Sequence, residues 1–507
     1  MKIKLIPGFP VLALFAFAVL TACLALSDKS DETQVINAYK RITERNPIMT
    51  HTFGADPTVL VYGGRVYIYM TGDTLEYEAN GEIKTNSYGT INTLRVVSSA
   101  DLVNWVYHEP INAAGQNGIA KWANLSWAPA IAFKKIDGKD KFFLYFSNNA
   151  NGIGVLTADT PLGPWIDPLG RALVSRQTPN CSDIPWVFDP GILIDDDGKA
   201  YMYFGGGVPR GREANPGSAR VVELGSDMIS LAGDPVRIDV PFFFEAALMN
   251  KINGRYIFSY CTNWNVTSEA RSRHRIDNAV IAIMSGNSPL GPFTLERTLF
   301  RNPGSFFGVW GNNHHDIFEF NGKWYLAYHS QILEQAMGIH GKGYRVIHID
   351  IISLNNGNLE TAVGTRRGVE QVGRLNPYIW HQGATSGITA EMSFGSFSVP
   401  DSPQPYEFAT AQKNGSWLGI FGADFGEQGA KSITINARAG QPGRCSAEIR
   451  LNSPFNDQAG ETIGTLTADH GVFTEYTIEL SQEVSGVNDI YFIFSSGFVL
   501  GGWQFNN

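Results

Sequence analysis

The alternation of apolar and polar positions along the chain is typical of short strands separated by turns. The clearest unit begins at Asp189 and ends near Gly207. Within it, residues 192–194 predict an apolar strand, Asp197-Gly198 a tight turn, and residues 200–205 a second strand rich in aromatic side chains. This pattern predicts a β-hairpin.

The same unit recurs four more times. The other copies are opened by Asp56, Trp127, Phe244-Glu245 and Asn312. Each continues through an apolar strand, turns on Gly, and ends in an aromatic strand closed by Ser, Thr, Cys or Gly. Repeats at intervals of about 55 to 70 residues leave room for four strands plus loops. We therefore expect an all-β chain whose residues 46–372 form a five-bladed β-propeller.

The pattern breaks at residues 373–383, which we interpret as a linker. A second all-β unit is predicted for residues 384–507, where apolar and polar residues alternate in segments 432–437 and 489–494.

The N-terminus has the pattern of an export signal. Lys2 and Lys4 precede an apolar run at residues 11–20, and Leu-Thr-Ala-Cys ends at Cys23. That ending resembles a bacterial lipobox, so residues 1–23 are interpreted as a lipoprotein signal peptide and residues 24–45 as a polar spacer. We expect a location in the bacterial cell envelope, lipid-anchored or secreted, either periplasmic or at the cell surface. The alternatives are an ordinary signal peptide and an uncleaved anchor.

Composition limits the possible partners. The 507 residues carry a formal net charge of −9 without a long run of either sign. Nucleic acid is therefore not an expected partner, because its binding requires a concentrated basic surface. Contact with a membrane is expected only through the lipid anchor, and the protein is expected to be a monomer. Cys181, Cys261 and Cys445 lack zinc-site spacing and are expected to be buried thiols, with a Cys181–Cys261 bridge left open.

Three of the opening residues are carboxylates. If Asp56, Asp189 and Glu245 occupy equivalent positions in three blades, they meet around one axial pocket. Hydrolysis of a glycosidic bond with inversion requires one carboxylate as the base for water and one protonated carboxyl as the acid. A third carboxylate raises the pKa of the acid by repulsion. A single Asp is usually a turn or strand-cap residue, but three at matching positions favour catalysis.

Six motifs give a family resemblance. In chain order they are FGADPTVLVYGGRVYIYMTGD, LSWAPAIA, IPWVFDPGILIDDDGKAY, FFEAALMNKINGRYIFSY, GNNHHDIF and GYRVIH. Together they resemble glycoside hydrolase family 43, particularly its α-L-arabinofuranosidases that debranch arabinoxylan. The resemblance covers residues 46–372 and implies a five-bladed propeller. It also implies that Asp56 is the general base, Asp189 the pKa modulator and Glu245 the general acid.

The resemblance implies further site residues. Arg345 matches a pocket arginine that contacts the sugar or the catalytic carboxylates. His314 matches a histidine near an axial structural calcium, with the adjacent His315 as an alternative. Because calcium prefers oxygen ligands, the histidine is expected to act through water or hydrogen bonding. No organic cofactor is expected.

Three more residues of this region are expected to bind the substrate. Trp127 and Trp186 lie in segments that form the pocket in this family, where they stack on sugar rings or pack in the core. Asn312, which opens the fifth unit, is also expected to bind substrate.

The C-terminal unit resembles a family 6 carbohydrate-binding module. The resemblance is carried by WLGIFGADFGEQGAKSITINARAG, EIRLNSP and VNDIYFIFSSG, and it implies a β-sandwich with jelly-roll topology at residues 384–507. Gly501-Gly502-Trp503 departs from the family pattern, in which a polar ligand-binding residue is common. Trp503 is the residue expected to stack on sugar there.

The predicted function is therefore removal of α-L-arabinofuranosyl side groups from arabinoxylan or a related hemicellulose. The expected partner is plant cell-wall polysaccharide, either arabinoxylan or arabinan. The alternatives are a β-xylosidase, an endo-arabinanase or a galactosidase of the same family, because the fold does not determine the substrate. A non-catalytic polysaccharide-binding lipoprotein is a further alternative, which the three carboxylates argue against.

Overall fold

Strands provide most of the regular structure in the computed structural model, which describes residues 34–397, 405–455 and 460–507. Three short helices occur in these ranges: α1 (Ser268–His274), α2 (Gly304–Phe307) and α3 (Ile332–Ala336). None of these described helices has the length and apolarity needed to cross a membrane. The all-β prediction is confirmed. The predicted signal peptide and residues 24–33 of the predicted spacer lie outside the described residues.

The first two-thirds of the chain forms five antiparallel sheets in succession. The first contains β1 (Ala55–Tyr62), β2 (Arg65–Thr71), β3 (Leu94–Ser99) and β4 (Trp105–Tyr107). The second contains β5 (Trp127–Ile136), β6 (Lys139–Ser147), β7 (Gly152–Ala158) and β8 (Val174–Ser175). The third contains β9 (Gly191–Ile194), β10 (Ala200–Phe204), β11 (Ala219–Leu224) and β12 (Val236–Ile238). The fourth contains β13 (Phe243–Ile252), β14 (Arg255–Thr262), β15 (Ile281–Gly286) and β16 (Thr294–Phe300). The fifth contains β17 (His315–Phe320), β18 (Lys323–Ser330) and β19 (Val346–Ile352).

Each of the five predicted hairpins is the first pair of strands in one sheet. The strands β1, β5, β9, β13 and β17 contact one another in this order, and β17 contacts β1, so the contacts close a ring. An apolar cluster fills the space between each sheet and the next, and another joins the fifth sheet to the first. Because both faces of each sheet are covered, the second strands read as nearly continuous apolar runs.

The remaining strands follow the fifth sheet along the chain; the first two form a separate two-stranded sheet, and the others form the C-terminal region. In chain order, the remaining strands are β20 (Leu354–Asn355), β21 (Asn358–Leu359), β22 (His381–Gln382), β23 (Thr385–Ser386), β24 (Ile388–Ala390), β25 (Met392–Phe397), β26 (Tyr406–Ala411), β27 (Ser416–Asp424), β28 (Ala430–Ala439), β29 (Cys445–Leu451), β30 (Glu461–Ala468), β31 (Thr474–Val484), β32 (Val487–Phe494) and β33 (Phe498–Asn506). One sheet has the order β25-β26-β33-β28-β31, with β22 paired to β33, and the other has the order β24-β27-β32-β29-β30. Both sheets contribute to one apolar core. Strand β23 pairs with β4 and so attaches this region to the first sheet.

Trp503 belongs to that apolar core. Its side chain is 0% exposed, and its ring stacks on His381 at 4.5 Å and lies 5.7 Å from Phe492. The prediction that Trp503 stacks on sugar is therefore wrong, because its ring does not reach the surface.

Two segments predicted to be connectors are packed against the protein. In the described part of the spacer, the Ile36 N–H donates to Gly415 O (3.1 Å), and Trp417 Nε1 donates to Ile36 O (2.6 Å). Within the predicted linker, Leu375 lies in the C-terminal core and residues 381–382 pair with β33. Residues 34–45 and 373–383 are therefore not free connectors. The sequence did not show this because the residues that these segments contact lie far away along the chain.

The cysteine prediction is confirmed for the described residues. Cys181, Cys261 and Cys445 are buried free thiols, and no bridge joins the first two.

Candidate active site

One cavity collects almost all of the predicted site residues. Its volume is about 440 Å³, and it lies where the first strands of the sheets begin. The predicted residues that line it are Asp56, Trp127, Trp186, Asp189, Glu245, Asn312, His314 and Arg345. Trp503 is the predicted residue that lies elsewhere, in the C-terminal core.

The first strands enter this cavity through irregular backbone. Asp56, Ala128, Asp189 and Ala246 have positive φ angles of 50°, 36°, 50° and 61°. The strand register shifts at the same points in β1, β5 and β13. Such bulges redirect a side chain, and each left-handed non-glycine residue costs on the order of 1–3 kcal/mol.

The register corrects one prediction about the carboxylates. Glu245 pairs with Cys261 at the end of the second strand, in the same way that Trp127 pairs with Ser147 and Ala55 with Thr71. Glu245 therefore matches Ala55 and not Asp56. Asp56 and Asp189 share the positive-φ position, which Ala246 occupies in the fourth sheet. The three carboxylates thus come from two adjacent positions of the repeat, which sequence spacing alone did not separate.

The strained backbone is stabilised by hydrogen bonds between sheets. The N–H of Ala128 donates to Thr71 Oγ1 (2.7 Å), and the N–H of Asp189 donates to Ser147 Oγ (2.9 Å). Across the ring closure, the N–H of Asp56 donates to His329 Nδ1 (3.1 Å). In each case a polar residue at the end of one hairpin holds the start of the next. The closing Ser and Thr residues are visible in the sequence pattern without an indicated role, whereas His329 does not belong to that pattern.

Asp56 has a cationic and hydrogen-bonding environment. Arg345 Nη1 lies 3.0 Å from Oδ1, and Thr71 Oγ1 donates to Oδ2 at 2.8 Å. Burial opposes ionisation of this carboxyl, but Arg345, His329 and His314 outweigh it and hold its pKa well below the usual range. Asp56 is therefore a carboxylate at neutral pH.

Arg345 is fixed by Asp73, a residue that the sequence analysis missed. Nε and Nη2 of Arg345 donate to the two oxygens of Asp73 at 2.9 and 2.7 Å, while Nη1 is directed to Asp56. Asp73 is 0% exposed. This bidentate pair orients the guanidinium so that Nη1 remains free to donate to Asp56. The only signal in the sequence was the position of Asp73 directly after the first hairpin.

Glu245 has the opposite environment. Burial, with the charge of Asp56 as a second cause, raises its pKa to about 8. Among the described residues, its Oε1 atom is buried without a hydrogen-bond partner. Glu245 is therefore protonated at neutral pH and lines a cavity that can receive a substrate atom.

Asp189 lines the same cavity as these two groups. Its Oδ2 accepts a hydrogen bond from the N–H of Ala246 (3.1 Å), the residue that follows Glu245. Burial and repulsion from Glu245 and Asp56 raise the pKa of Asp189 well above its usual range. The main causes of the raised pKa of Glu245 are burial and Asp56. The direct link of Asp189 to Glu245 is this backbone hydrogen bond.

Aromatic side chains form the cavity walls. Trp127 Nε1 donates to Tyr88 O at 3.0 Å, and the Tyr88 ring lies 5.1 Å from the Arg345 guanidinium carbon. Trp186 makes edge contacts with Phe188 and Phe244 at 5.3 Å. Both tryptophans are half-buried and are therefore held in place with part of each ring facing the cavity.

The histidines give little support for a directly ligated metal. His314 Nδ1 lies 3.6 Å from Asp56 and 3.7 Å from Asp189, and burial lowers its pKa to about 4. His315 Nε2 is paired with Ser259 Oγ at 2.7 Å. In the described ranges, no group of three His, Cys, Asp or Glu residues forms a metal site. Calcium takes six to eight oxygen ligands, so these side chains do not fit a directly coordinated ion.

Comparison with known proteins identifies relatives of this site and fold. The sequence profile of Glycosyl hydrolases family 43 matches residues 44–358. An arabinoxylan arabinofuranohydrolase of Bacillus subtilis (strain 168) is 42% identical over 97% of this chain and 98% of its own length. Another, from Paenibacillus polymyxa, is 42% identical over 91% of this chain and 74% of its own length.

A solved structure agrees with these relatives. The crystal structure of a glycoside hydrolase family 43 arabinoxylan arabinofuranohydrolase from Bacillus subtilis, in complex with cellotetraose, superposes with a TM-score of 0.88 at 42% identity. The match covers 93% of this chain and 99% of that chain. The profile match, the near full-length identity and the shared fold lead to one conclusion: the chain belongs to glycosyl hydrolases family 43.

Proposed function

We propose that the protein removes α-L-arabinofuranosyl side groups from arabinoxylan with inversion at the anomeric carbon. The observation that carries this proposal is the contrast between two buried carboxyl groups in one cavity. Asp56 is held as a carboxylate, whereas Glu245 retains its proton with a pKa of about 8. Inverting hydrolysis requires such a base and acid. The two relatives named above carry the substrate assignment.

The proposed step uses each group once. Asp56 accepts a proton from water as the water oxygen bonds to the anomeric carbon. The bond from that carbon to the xylosyl oxygen breaks, and Glu245 gives its proton to the departing oxygen. Asp189 holds the backbone beside Glu245, and Arg345 keeps Asp56 ionised. General acid or base help of this kind contributes about 10²- to 10⁴-fold per group.

The finer features of the architecture are part of the proposal. The closed ring of contacts among the five first strands supports a five-bladed propeller. The two sheets around one core support a β-sandwich related to family 6 carbohydrate-binding modules. A structural calcium near His314 would be held mainly through water, since direct ligands are lacking among the described residues. The lipid anchor, the cell-envelope location and the monomeric state are proposals from the sequence.

The test is proton NMR of the products formed from wheat arabinoxylan. We expect β-arabinofuranose as the first anomer, and we expect no release from the Glu245→Ala variant. Glu223→Gln, which alters a surface pair with Lys199, is the matched control and should retain activity. Appearance of the α-anomer first would overturn inversion. Release of xylose or arabino-oligosaccharides would keep the mechanism and change the substrate.

A further inference from the structure

A second groove lies beside the catalytic cavity and has a different chemistry. Its volume is about 740 Å³, and its lining includes Trp264, Trp310 and four arginines. We refer to it as the arginine groove, defined by Trp264, Arg271, Arg275, Arg297, Arg301 and Trp310. The one acidic residue in its lining is Asp277. A locally cationic groove is unexpected on a protein whose formal net charge is −9.

The aromatic residues of this groove are open to solvent. Trp310 is 58% exposed and Trp264 is 42% exposed. A Cβ added at Gly304 would lie 2.4 Å from the Trp310 ring, so this ring rests directly on backbone. One face of a tryptophan that is supported in this way can stack on a flat ligand, such as a sugar ring.

Two of the arginines are available to a ligand. Arg271 is paired with Asp277 at 3.2 Å, and Arg297 donates to Thr298 O and Thr361 Oγ1 at 3.1 Å. Arg275 and Arg301 are exposed, and within the described residues their guanidinium groups have neither a hydrogen bond nor an ion pair. A planar guanidinium matches a carboxylate with two parallel hydrogen bonds.

The arginine groove adjoins the reacting centre. Trp310 precedes the cavity residue Asn312 by two positions, a span of at most about 7 Å along an extended chain. Asn302, next to Arg301, donates to Gly311 O at 2.9 Å and so ties that segment to the edge of the cavity. A polysaccharide with one sugar in the cavity therefore brings neighbouring sugars to the arginine groove.

We propose that the arginine groove binds a uronic acid side group on the same xylan chain from which arabinose is removed. The tryptophans would stack on sugar rings while Arg275 and Arg301 pair with the uronate carboxylate. This inference rests on the proposed function, because it assigns the acidic sugar to the arabinoxylan substrate. It predicts a preference for acidic, glucuronate-bearing arabinoxylan over the neutral polymer.

The test is a binding measurement that does not depend on turnover. Isothermal titration calorimetry of the full-length Glu245→Gln protein uses a xylo-oligosaccharide bearing one glucuronic acid. The matched probe is the same oligosaccharide with its carboxyl reduced to an alcohol. We expect the acidic probe to bind about three- to tenfold more tightly, because each of two exposed charge pairs contributes up to about fivefold. This preference should shrink at high salt, because exposed charges are screened.

Variants locate the effect in the arginine groove. When Arg275→Gln and Arg301→Gln are added to the Glu245→Gln protein, the preference for the acidic probe over the reduced probe should fall to less than about twofold. Adding Arg444→Gln, an exposed arginine of the C-terminal region, should leave it unchanged. Thermal unfolding of each variant separates loss of binding from loss of fold.

Three results would overturn the inference. The first is equal binding of both probes, and the second is a preference for the acidic probe that survives in the double arginine variant. The third is tighter binding of an oligogalacturonate than of the acidic xylan probe. The last result would assign the carboxylate to a pectic chain. Failure of the proposed function is seen separately, as an absence of arabinose release from neutral arabinoxylan by the unmodified enzyme.

Discussion

The five-sheet region encloses ionisable side chains around a cavity, whereas the core of the C-terminal region is apolar. In the five-sheet region, Asp56 and Glu245 are at most 7% exposed and line one cavity, and Asp73, which is 0% exposed, holds the Arg345 side chain of that cavity. The C-terminal core is formed by apolar residues from two sheets, and its Trp503 is 0% exposed. Burial of a charge is costly unless a partner is built for it, whereas burial of an apolar ring is favourable. A site is therefore recognised by polar groups that the fold holds in place against this cost.

The same contrast exists within the site. Asp56 and Glu245 are buried to a similar extent, yet one is ionised and the other is protonated. The difference is the Arg345–Asp73 pair, which is directed at Asp56. The position of the charged partner, more than the extent of burial, determines the protonation state of each carboxyl group.

The largest predicted effect comes from removing the base. Asp56→Asn keeps the shape of the side chain and removes its ability to accept a proton from water. We expect kcat to fall by about 10²- to 10⁴-fold on arabinoxylan and on an aryl arabinofuranoside alike. Steady-state kinetics measure this loss, with Asp159→Asn at the surface pair with Lys141 as control. Activity within tenfold of the unmodified enzyme would exclude Asp56 as the base.

The next effect tests the partner of Asp56. Arg345→Gln is combined with Asp73→Asn so that Asp73 is not left as a second buried carboxylate without a partner. Without the cation, burial raises the pKa of Asp56, so the acid limb of the kcat/KM profile should move up by about 1–3 pH units. Arg255→Gln, which breaks a surface pair with Glu296, is the control. An unmoved acid limb would show that Arg345 does not set the ionisation of Asp56.

The pH dependence of the unmodified enzyme tests Glu245. The acid must be protonated to act, and its raised pKa is about 8. The kcat/KM value should therefore be maintained at neutral pH and fall about tenfold per pH unit as pH rises beyond 8. A basic limb near the ordinary glutamate value would contradict a raised pKa.

The smallest effect on activity is expected in the C-terminal core. Trp503→Phe should leave the KM for arabinoxylan unchanged. It should lower the free energy of unfolding by about 1–3 kcal/mol, because the smaller ring leaves a cavity in the core. Trp186→Ala, in the site, should raise that KM roughly three- to tenfold through loss of aromatic contact. Kinetics and denaturant unfolding measure the two variants side by side. A higher KM for Trp503→Phe would restore a role for this residue in sugar binding.

Periodicity was sufficient to predict the five hairpins. Each first strand is apolar, each second strand is aromatic, and the turns contain Gly, so local chemistry determines both the strands and their pairing. The carboxylates were found because each stands at the start of a repeat. Their exact placement was not, because Glu245 and Asp56 occupy adjacent positions of the repeat, and only the pairing register with the second strands separates these positions.

The groups that tune the site escaped prediction for a different reason. Thr71, Asp73 and His329 each contact a residue that belongs to another part of the ring and is far away in the sequence. Likewise, the packing of residues 34–45 depends on contacts with Gly415 and Trp417, more than 350 positions away. The burial of Trp503 depends on which face of β33 is directed inward, and the alternation of that strand is interrupted by its glycines.

The most direct test of the account compares two leaving groups in the Glu245→Ala variant. The leaving group of an aryl arabinofuranoside, such as the 4-nitrophenyl glycoside, departs without receiving a proton. The xylosyl oxygen of arabinoxylan must receive a proton to depart. If Glu245 is the acid, the loss of kcat/KM on arabinoxylan should exceed the loss on the aryl substrate by about 10²-fold or more. Equal losses on the two substrates would contradict the assignment of Glu245 as the proton donor.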